Sequence, residues 1–203
     1  DSTGAVVIPI EYTNSLTSVN NGRLGVQKNA SWFYVDMKGQ IVSDKYDRIG
    51  NFHQGYASVC LNKLWGAIDL QNRVVVPLEW QGVAPIVDPK LIWVKKDNLY
   101  YLYDGVQKSV RLKQGFANAS NFDNEMAYVM SDGKWGIIDP DGKVLVPCLF
   151  EKEEDMVLAK QYMLAEDKKN LTEVEALRVI ARFDPDTNMF KITSVIPDKH
   201  WDY

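Results

Sequence analysis

Apolar and polar positions in this chain alternate in short runs, the period of a half-buried β-strand rather than the 3.6 of a helix. "YASVCL" (56–61) and "EMAYVM" (125–130) alternate and carry β-branched or aromatic residues. "WGAID" and "WGIID" follow each after a short turn, and "RVVVPL" (73–78) and "KVLVPC" (143–148) supply a third strand that Pro77 or Pro147 confines to an edge or a bulge. Ser131-Asp132-Gly133-Lys134 offers the Asp-Gly of a tight hairpin, and Asp139-Pro140-Asp141-Gly142 a second turn. Each stretch therefore reads as a small antiparallel meander.

These meanders recur. Trp65-Gly66-Ala67-Ile68-Asp69 lies 70 residues before Trp135-Gly136-Ile137-Ile138-Asp139, and the same offset carries Phe52 to Phe122, Ala57 to Ala127, Val59 to Val129 and Pro77 to Pro147. Halving the offset to 35 puts Tyr100 and Asp104 in the places of Trp65 and Asp69, and stepping back 33 puts Trp32 and Asp36 there. Four units cover most of residues 14–150, and Val7-Ile8-Pro9-Ile10-Glu11-Tyr12 reads as the tail of a partial one before them. Periods of 20–50 residues are the signature of stacked arrays, solenoids and propellers, in which three strands too few to bury their own apolar face complete the core by stacking. The Trp of each unit is expected to fill that junction, and Gly66 and Gly136 to admit a neighbouring unit's backbone.

"NKLWGAIDLQNRVVVP", "DGKWGIIDPDGKVLVP" and "KYDRIGNFHQGYASV" together resemble units of the bacterial WG-repeat (KWG-repeat) family. Trp65, Gly66, Ile68, Asp69 and Pro77, with Lys134, Trp135, Gly136, Ile138, Asp139, Gly142, Lys143 and Pro147, fall on its core, and Tyr46, Asp47, Ile49, Phe52, Gly55, Ala57 and Val59 on its flank. Leu64 departs from the family Lys, and Tyr101 and Phe33 stand where the family has Gly. The resemblance implies β-meanders in an extended or propeller-like array and a surface or interaction role rather than a shared reaction.

Beyond residue 150 the pattern changes. Glu151–Lys169 places Met156, Ala159 and Met163 at helical spacing and reads as an amphipathic helix covering the open end of the array. Alternation then resumes on either side of "DPDTN" (184–188), which predicts a hairpin; Thr172-x-x-Glu175 keeps a second helix open as the alternative for 172–182. The expected fold is mainly β, with repeated antiparallel meanders of about 35 residues over 1–150 and an α+β cap, a C-terminal helix plus β-hairpin, over 151–203.

Hydrophobic content of 46% and charged content of 25% are those of a folded globular chain. A formal net charge of -4 with scattered signs argues against a nucleic-acid partner, and no run is long and apolar enough for a membrane span. The chain begins at Asp1-Ser2-Thr3-Gly4 without a Met, as a processed secretory precursor would, so an extracytoplasmic location, periplasmic or cell-surface, is expected. Cys60 and Cys148 read as two buried small hydrophobes, with a single long-range disulfide as the alternative.

Chemistry-bearing constellations are few. Only His53 and His200 are present, no nucleophile elbow, Walker or Rossmann string accompanies them, and no cofactor is implied. Asp184-x-Asp186-x-Asn188 starts like a calcium loop, yet Met189 and Val195 stand where Gly and a bidentate Glu belong. The recurrent Asp36, Asp69, Asp104 and Asp139 each end a strand and open a turn, where accepting backbone N–H bonds is the simplest role. The third unit concentrates Trp93, Tyr100, Tyr101 and Tyr103 where the others keep Trp-Gly, which makes those rings the candidate surface for a protein partner or, alternatively, a glycan of the cell envelope. A non-enzymatic structural or protein-interaction module is the expected function.

Overall fold

The computed structural model describes residues 11–153, 160, 179–184 and 189–195, and the chain divides into two compact units, Asp1–Gly115 and Phe116–Tyr203. Unit 1 holds three antiparallel sheets. The first is β1 (Asn14–Ser15), β2 (Leu24–Lys28) and β3 (Ser31–Val35); the second is β4 (Arg48–Ile49), β5 (Tyr56–Leu61), β6 (Leu64–Asp69) and β7 (Val74–Trp80). The third is β8 (Gly82–Val83), β9 (Ile92–Lys96), β10 (Leu99–Asp104) and β11 (Ser109–Val110). Strand order within each follows the sequence, so every unit of the repeat is an up-and-down meander. A short leading strand joins the three that alternation predicts; in the second sheet it is the Arg48–Ile49 flank.

Unit 2 repeats the second sheet as β12 (Asn118–Ala119), β13 (Ala127–Ser131), β14 (Lys134–Ile138) and β15 (Val144–Phe150), and adds the hairpin β16 (Val179–Asp184) and β17 (Met189–Val195). The correspondence is residue by residue. Trp65 faces Trp80 and Ala67 faces Val76, as Trp135 faces Phe150 and Ile137 faces Val146, with the register shift at the same place in both.

One device recurs in all four sheets. The hairpin inside each is a two-residue turn with both residues at positive φ: Asn29–Ala30 (51°, 63°), Asn62–Lys63 (53°, 67°), Asp97–Asn98 (51°, 63°) and Asp132–Gly133 (51°, 73°). Such turns match the right-handed twist of the strands, and Asn, Asp and Gly accept them most easily. The degenerate first and third units are thereby tied to the well-kept ones through backbone conformation.

Stacking within unit 1 builds two cores. Tyr34, Tyr46, Phe52, Ala57, Val59 and Ile68 fill the junction of the first and second sheets, with Tyr34 edge-on to Phe52 at 4.6 Å and its hydroxyl donating to the Gly50 carbonyl at 2.5 Å. Ala67, Val76, Trp80, Ile92, Val94 and Tyr103 fill that of the second and third. Ala67 and Ile68 are neighbours on β6 that serve opposite faces, so one central strand anchors both junctions.

Two expectations about the Trp-Gly pair are corrected. Trp32 and Trp65, each one residue inside its hairpin turn, are only half-buried, whereas Trp135 at the same position is buried. The junction is filled instead by the aromatic facing that Trp across the sheet, Tyr46 or Trp80, each 5% exposed. The glycine admits its own unit's third strand rather than a neighbouring unit. A Cβ on Gly66 would stand 2.5 Å from the Val76 carbonyl oxygen, and one on Gly136 would stand 2.6 Å from that of Val146. Pro77 and Pro147 sit in these bulged edge strands, where no ladder N–H is lost.

The C-terminal helix is also corrected. Among the described residues every named element is a strand. Of 151–169, residues 154–159 and 161–169, including Met156 and Met163, lie outside the described residues, and no helix is among the named elements. The edge strand β15 is in contact with β17 of the separate β16–β17 hairpin. Lys160 is sunk against the last sheet as a cation: its Nζ lies 2.6 Å from Asp123 Oδ2 and 5.6 Å from the Tyr128 ring centroid. Residues 7–10 of the partial unit at 7–12, the alternative at Thr172–Glu175 and the loop at 185–188 lie outside the described residues.

Candidate interaction surface

Every strand that ends in the recurrent aspartate runs into a turn built around that side chain. Oδ1 of Asp36 accepts the N–H groups of Lys38 and Gln40, and Oδ1 of Asp69 those of Gln71 and Arg73, all at 2.9 Å. Asp104 accepts from Val106 and Gln107 at 2.9 Å, and Asp139 from Asp141 and Lys143 at 3.0 and 2.8 Å. The residue before each corner takes a positive φ where needed, at Gly39 (76°), Asn72 (59°), Lys108 (54°) and Gly142 (83°). The second oxygen is engaged too in two turns: Arg73 Nε donates to Asp69 Oδ2 at 2.7 Å, and Arg111 lies 3.6 Å from Asp104 Oδ2.

Hydrogen bonds from the Gln40 and Lys38 N–H groups hold the Asp36 carboxyl below the usual carboxylate range. Burial pushes the Asp69 carboxyl up, but the Arg73 and Gln71 donors outweigh it, so it too stays low. These carboxylates are thus spent on the fold. Among the described residues no group of three or more His, Cys, Asp and Glu is placed to hold a metal ion.

What the turns expose is different. The residue before each aspartate pairs with an exposed β-branched residue beyond the turn: Val35 with Ile41, Ile68 with Val74, Tyr103 with Val110 and Ile138 with Val144. These four are 49%, 43%, 40% and 43% exposed, so one position of the repeat presents an aliphatic side chain to solvent in all four sheets. The sequence reading missed this row. Its signal was available, since Ile41 and Val74 stand the same 33 residues apart as Asp36 and Asp69.

In unit 1 the aliphatic surface is concentrated at that end. Val19, Met37, Val87 and Val106 are exposed in loops that emerge from the same ends of the sheets, and only Leu64 of the large exposed hydrophobics described in unit 1 lies at the hairpin-turn end. The turns of adjacent sheets touch. Arg23 donates to the Leu70 carbonyl, Asn72 Nδ2 to Asp44 Oδ2, and the Gly105 N–H to the Pro89 carbonyl within the third sheet. A shallow recess lined by Arg23, Tyr34, Ser43, Phe52, Asp69 and Asn72 lies between the first two sheets and has no room for a water molecule.

The predicted aromatic residues are divided. Trp93 and Tyr103 are 2% and 3% exposed, and Tyr103 packs edge-on to Trp80 at 6.0 Å in the sheet junction. Tyr101 is half-buried against the same core, and half-buried Tyr100 carries Lys95 Nζ 5.2 Å above its ring. Strict alternation sends Tyr100 and Tyr101 to opposite faces of β10, so the four rings do not form one open platform. His53 is exposed in a turn; Cys60 and Cys148 are free thiols, and burial pushes both thiol pKa values up.

The family described as "WG containing repeat" matches residues 1–32, 32–65, 65–100, 115–135 and 135–152, with boundaries on Trp32, Trp65, Tyr100 and Trp135. The chain belongs to the WG-containing-repeat family. No curated protein shows a significant match. Among solved structures the chain is similar to a eukaryotic initiation factor (TM-score 0.47, 12% identity, 73% of this chain and 47% of that one) and to Hsv2p of Kluyveromyces lactis (0.39, 11%, 66% and 49%). It is similar also to the hemopexin-fold protein CP4 of cow pea (0.27, 10%, 68% and 91%). The chain spans about half the length of the first two. Likeness at these scores fixes neither overall shape nor activity.

Proposed function

We propose that this WG-repeat chain is a non-enzymatic protein-interaction module that presents the aspartate-turn ends of its sheets to a partner. The observation that carries the reading is the recurrent pair at each turn: a carboxylate consumed by backbone N–H groups, and an aliphatic residue left in water beyond it. Repeats of this sort retain stability in the buried strands and leave the turns free to vary. The same reading places the module outside the cytoplasm, at a cell envelope, as expected of a display surface; fractionation of the source cells tests that placement.

Amine-reactive crosslinking in extracts of the source cells tests the interaction. Crosslinks to a partner are expected at Lys38, Lys90 and Lys108 of the turn end and sparsely at Lys63 and Lys96 of the hairpin-turn end. An even distribution, or no partner above background, contradicts the reading. A glycan partner is the second reading and rests on Tyr100 and Tyr101 alone; a glycan array on which Tyr100→Ala and Tyr101→Ala leave the signal unchanged removes it.

A further inference from the structure

All but Leu64 of the large exposed hydrophobics described in unit 1 lie at the aspartate-turn end, with Met37 at 62% and Val106 at 61% the most exposed. They belong to one surface. Arg23, just before β2, donates to the Leu70 carbonyl at 3.2 Å, and Asn72 donates to Asp44 at 2.9 Å, which joins the turn ends of the first and second sheets. Val75 of β7 lies so close to Gly105 that a Cβ there would stand 2.6 Å from its Cγ1, which joins the second and third. The charges interleaved with this surface nearly balance. Asp69 and Asp104 have Arg73 and Arg111 at 2.7 and 3.6 Å, and Arg23 is taken up by the Gly22 and Leu70 carbonyls. Three carboxyls and three ammonium groups remain. Asp36 and Asp88 spend one oxygen on turn N–H groups and Asp44 one on the Asn72 amide, while the other oxygen of each accepts no hydrogen bond among the described residues. Lys38, Lys90 and Lys108 are exposed and make no ion pair among the described residues.

An aliphatic surface with both signs of charge in equal number selects neither an acidic nor a basic partner, since either would bring like charges together. It does complement itself. In a two-fold interface a residue i of one copy meets j of the other and j meets i, so loops in which Asp36 neighbours Lys38 and Asp88 neighbours Lys90 can bring unlike charges together, where a patch of one sign would repel its own copy. We propose that the aspartate-turn end of unit 1 is a self-association surface, which closes a symmetric dimer by covering the exposed aliphatic side chains of one copy with those of a second. Burial of these groups supplies the affinity, and the lysines of one copy against the remaining carboxylates of the other fix the register. The inference rests on the protein-interaction reading above and names a second copy of the chain as the partner.

Sedimentation of the full chain over roughly 1 μM to 1 mM tests it. A concentration-dependent monomer–dimer equilibrium is expected. Its dissociation constant should rise roughly tenfold in Met37→Ser/Val106→Ser, comparably in Lys38→Glu/Lys108→Glu, and not at all in Leu64→Ser at the hairpin-turn end. Asp44→Lys should weaken the dimer too, and its equimolar mixture with Lys38→Glu/Lys108→Glu should pair more tightly than either variant alone, since each then meets its opposite. All four variants should keep the parent melting midpoint at the dilute end, because none of these side chains is buried. A dimer that ignores the aliphatic and lysine variants overturns this surface, and a mixture no tighter than its components overturns the pairing of unlike charges. Assemblies that grow beyond a dimer overturn the closed two-fold arrangement. A chain that stays monomeric throughout overturns the proposal: if Lys38, Lys90 and Lys108 still crosslink to a different protein in cell extracts, the interaction reading stands with that protein as partner, and if they crosslink to nothing, both fall.

Discussion

At the scale of single residues, the recurrent carboxylates and aromatics have separable roles. Asp69→Ala strands the turn N–H groups of Gln71 and Arg73 and removes the acceptor of Arg73, a loss of about 1–2 kcal/mol in urea unfolding. The pH dependence follows from the lowered values of Asp36 and Asp69. Their stabilisation is complete above the unfolded carboxyl value, about 3.9, and is lost as pH falls through the lower folded values. Acid titration of the melting midpoint should show that decline, and Asp69→Asn should flatten it. Trp80 offers a second contrast. Its ring is 5% exposed in the sheet junction, but Nε1 has no hydrogen-bond partner, and the equivalent position in the last sheet is Phe150. Trp80→Phe should therefore cost less than about 1.5 kcal/mol, whereas Trp80→Ala should cost about 3–5. Equal losses would mean that the indole N–H matters as much as the ring.

At the scale of elements, hairpin turns and bulges decide what each position tolerates. Lys63 and Ala30 hold positive φ where the last sheet has Gly133. Lys63→Gly should stabilise the chain by about 0.5–1 kcal/mol, the left-handed penalty less the added chain entropy. Gly66→Ala should do the opposite, because its Cβ meets the backbone of Val76 and Pro77; a loss of about 1–3 kcal/mol is expected in the same unfolding series. These elements were largely legible in the letters. Alternation and the Trp-Gly-x-Ile-Asp recurrence located the paired strands and their turns, since both depend on neighbours within about six residues. The leading strands are two residues long and leave no periodic trace. The bulge was legible only as a choice, because Pro77 permits an edge as well as a bulge and occupies both. The helical reading after residue 150 rested on Met156, Ala159 and Met163, which lie outside the described residues.

At the scale of the whole molecule, the repeat separates buried aromatics from exposed aliphatics by position within each sheet. The buried faces carry the aromatics, and the aspartate-turn end carries all but Leu64 of the large exposed hydrophobics described in unit 1. In the third unit aromatic density signals a core as readily as a binding patch: Trp93 and Tyr103 lie in the core, and Tyr100 and Tyr101 are half-buried. The informative signal was a plain Val or Ile after each turn, inconspicuous by composition and visible only once its strand partner is known. Amide hydrogen exchange across the full chain tests the underlying claim most directly, namely that the recurrent aspartates build turns instead of performing chemistry. The N–H groups of Lys38, Gln40, Gln71, Arg73, Val106, Gln107, Asp141 and Lys143 are predicted to be protected by at least roughly tenfold over free peptide, in all four turns alike. Exchange of those amides at free-peptide rates would contradict the account.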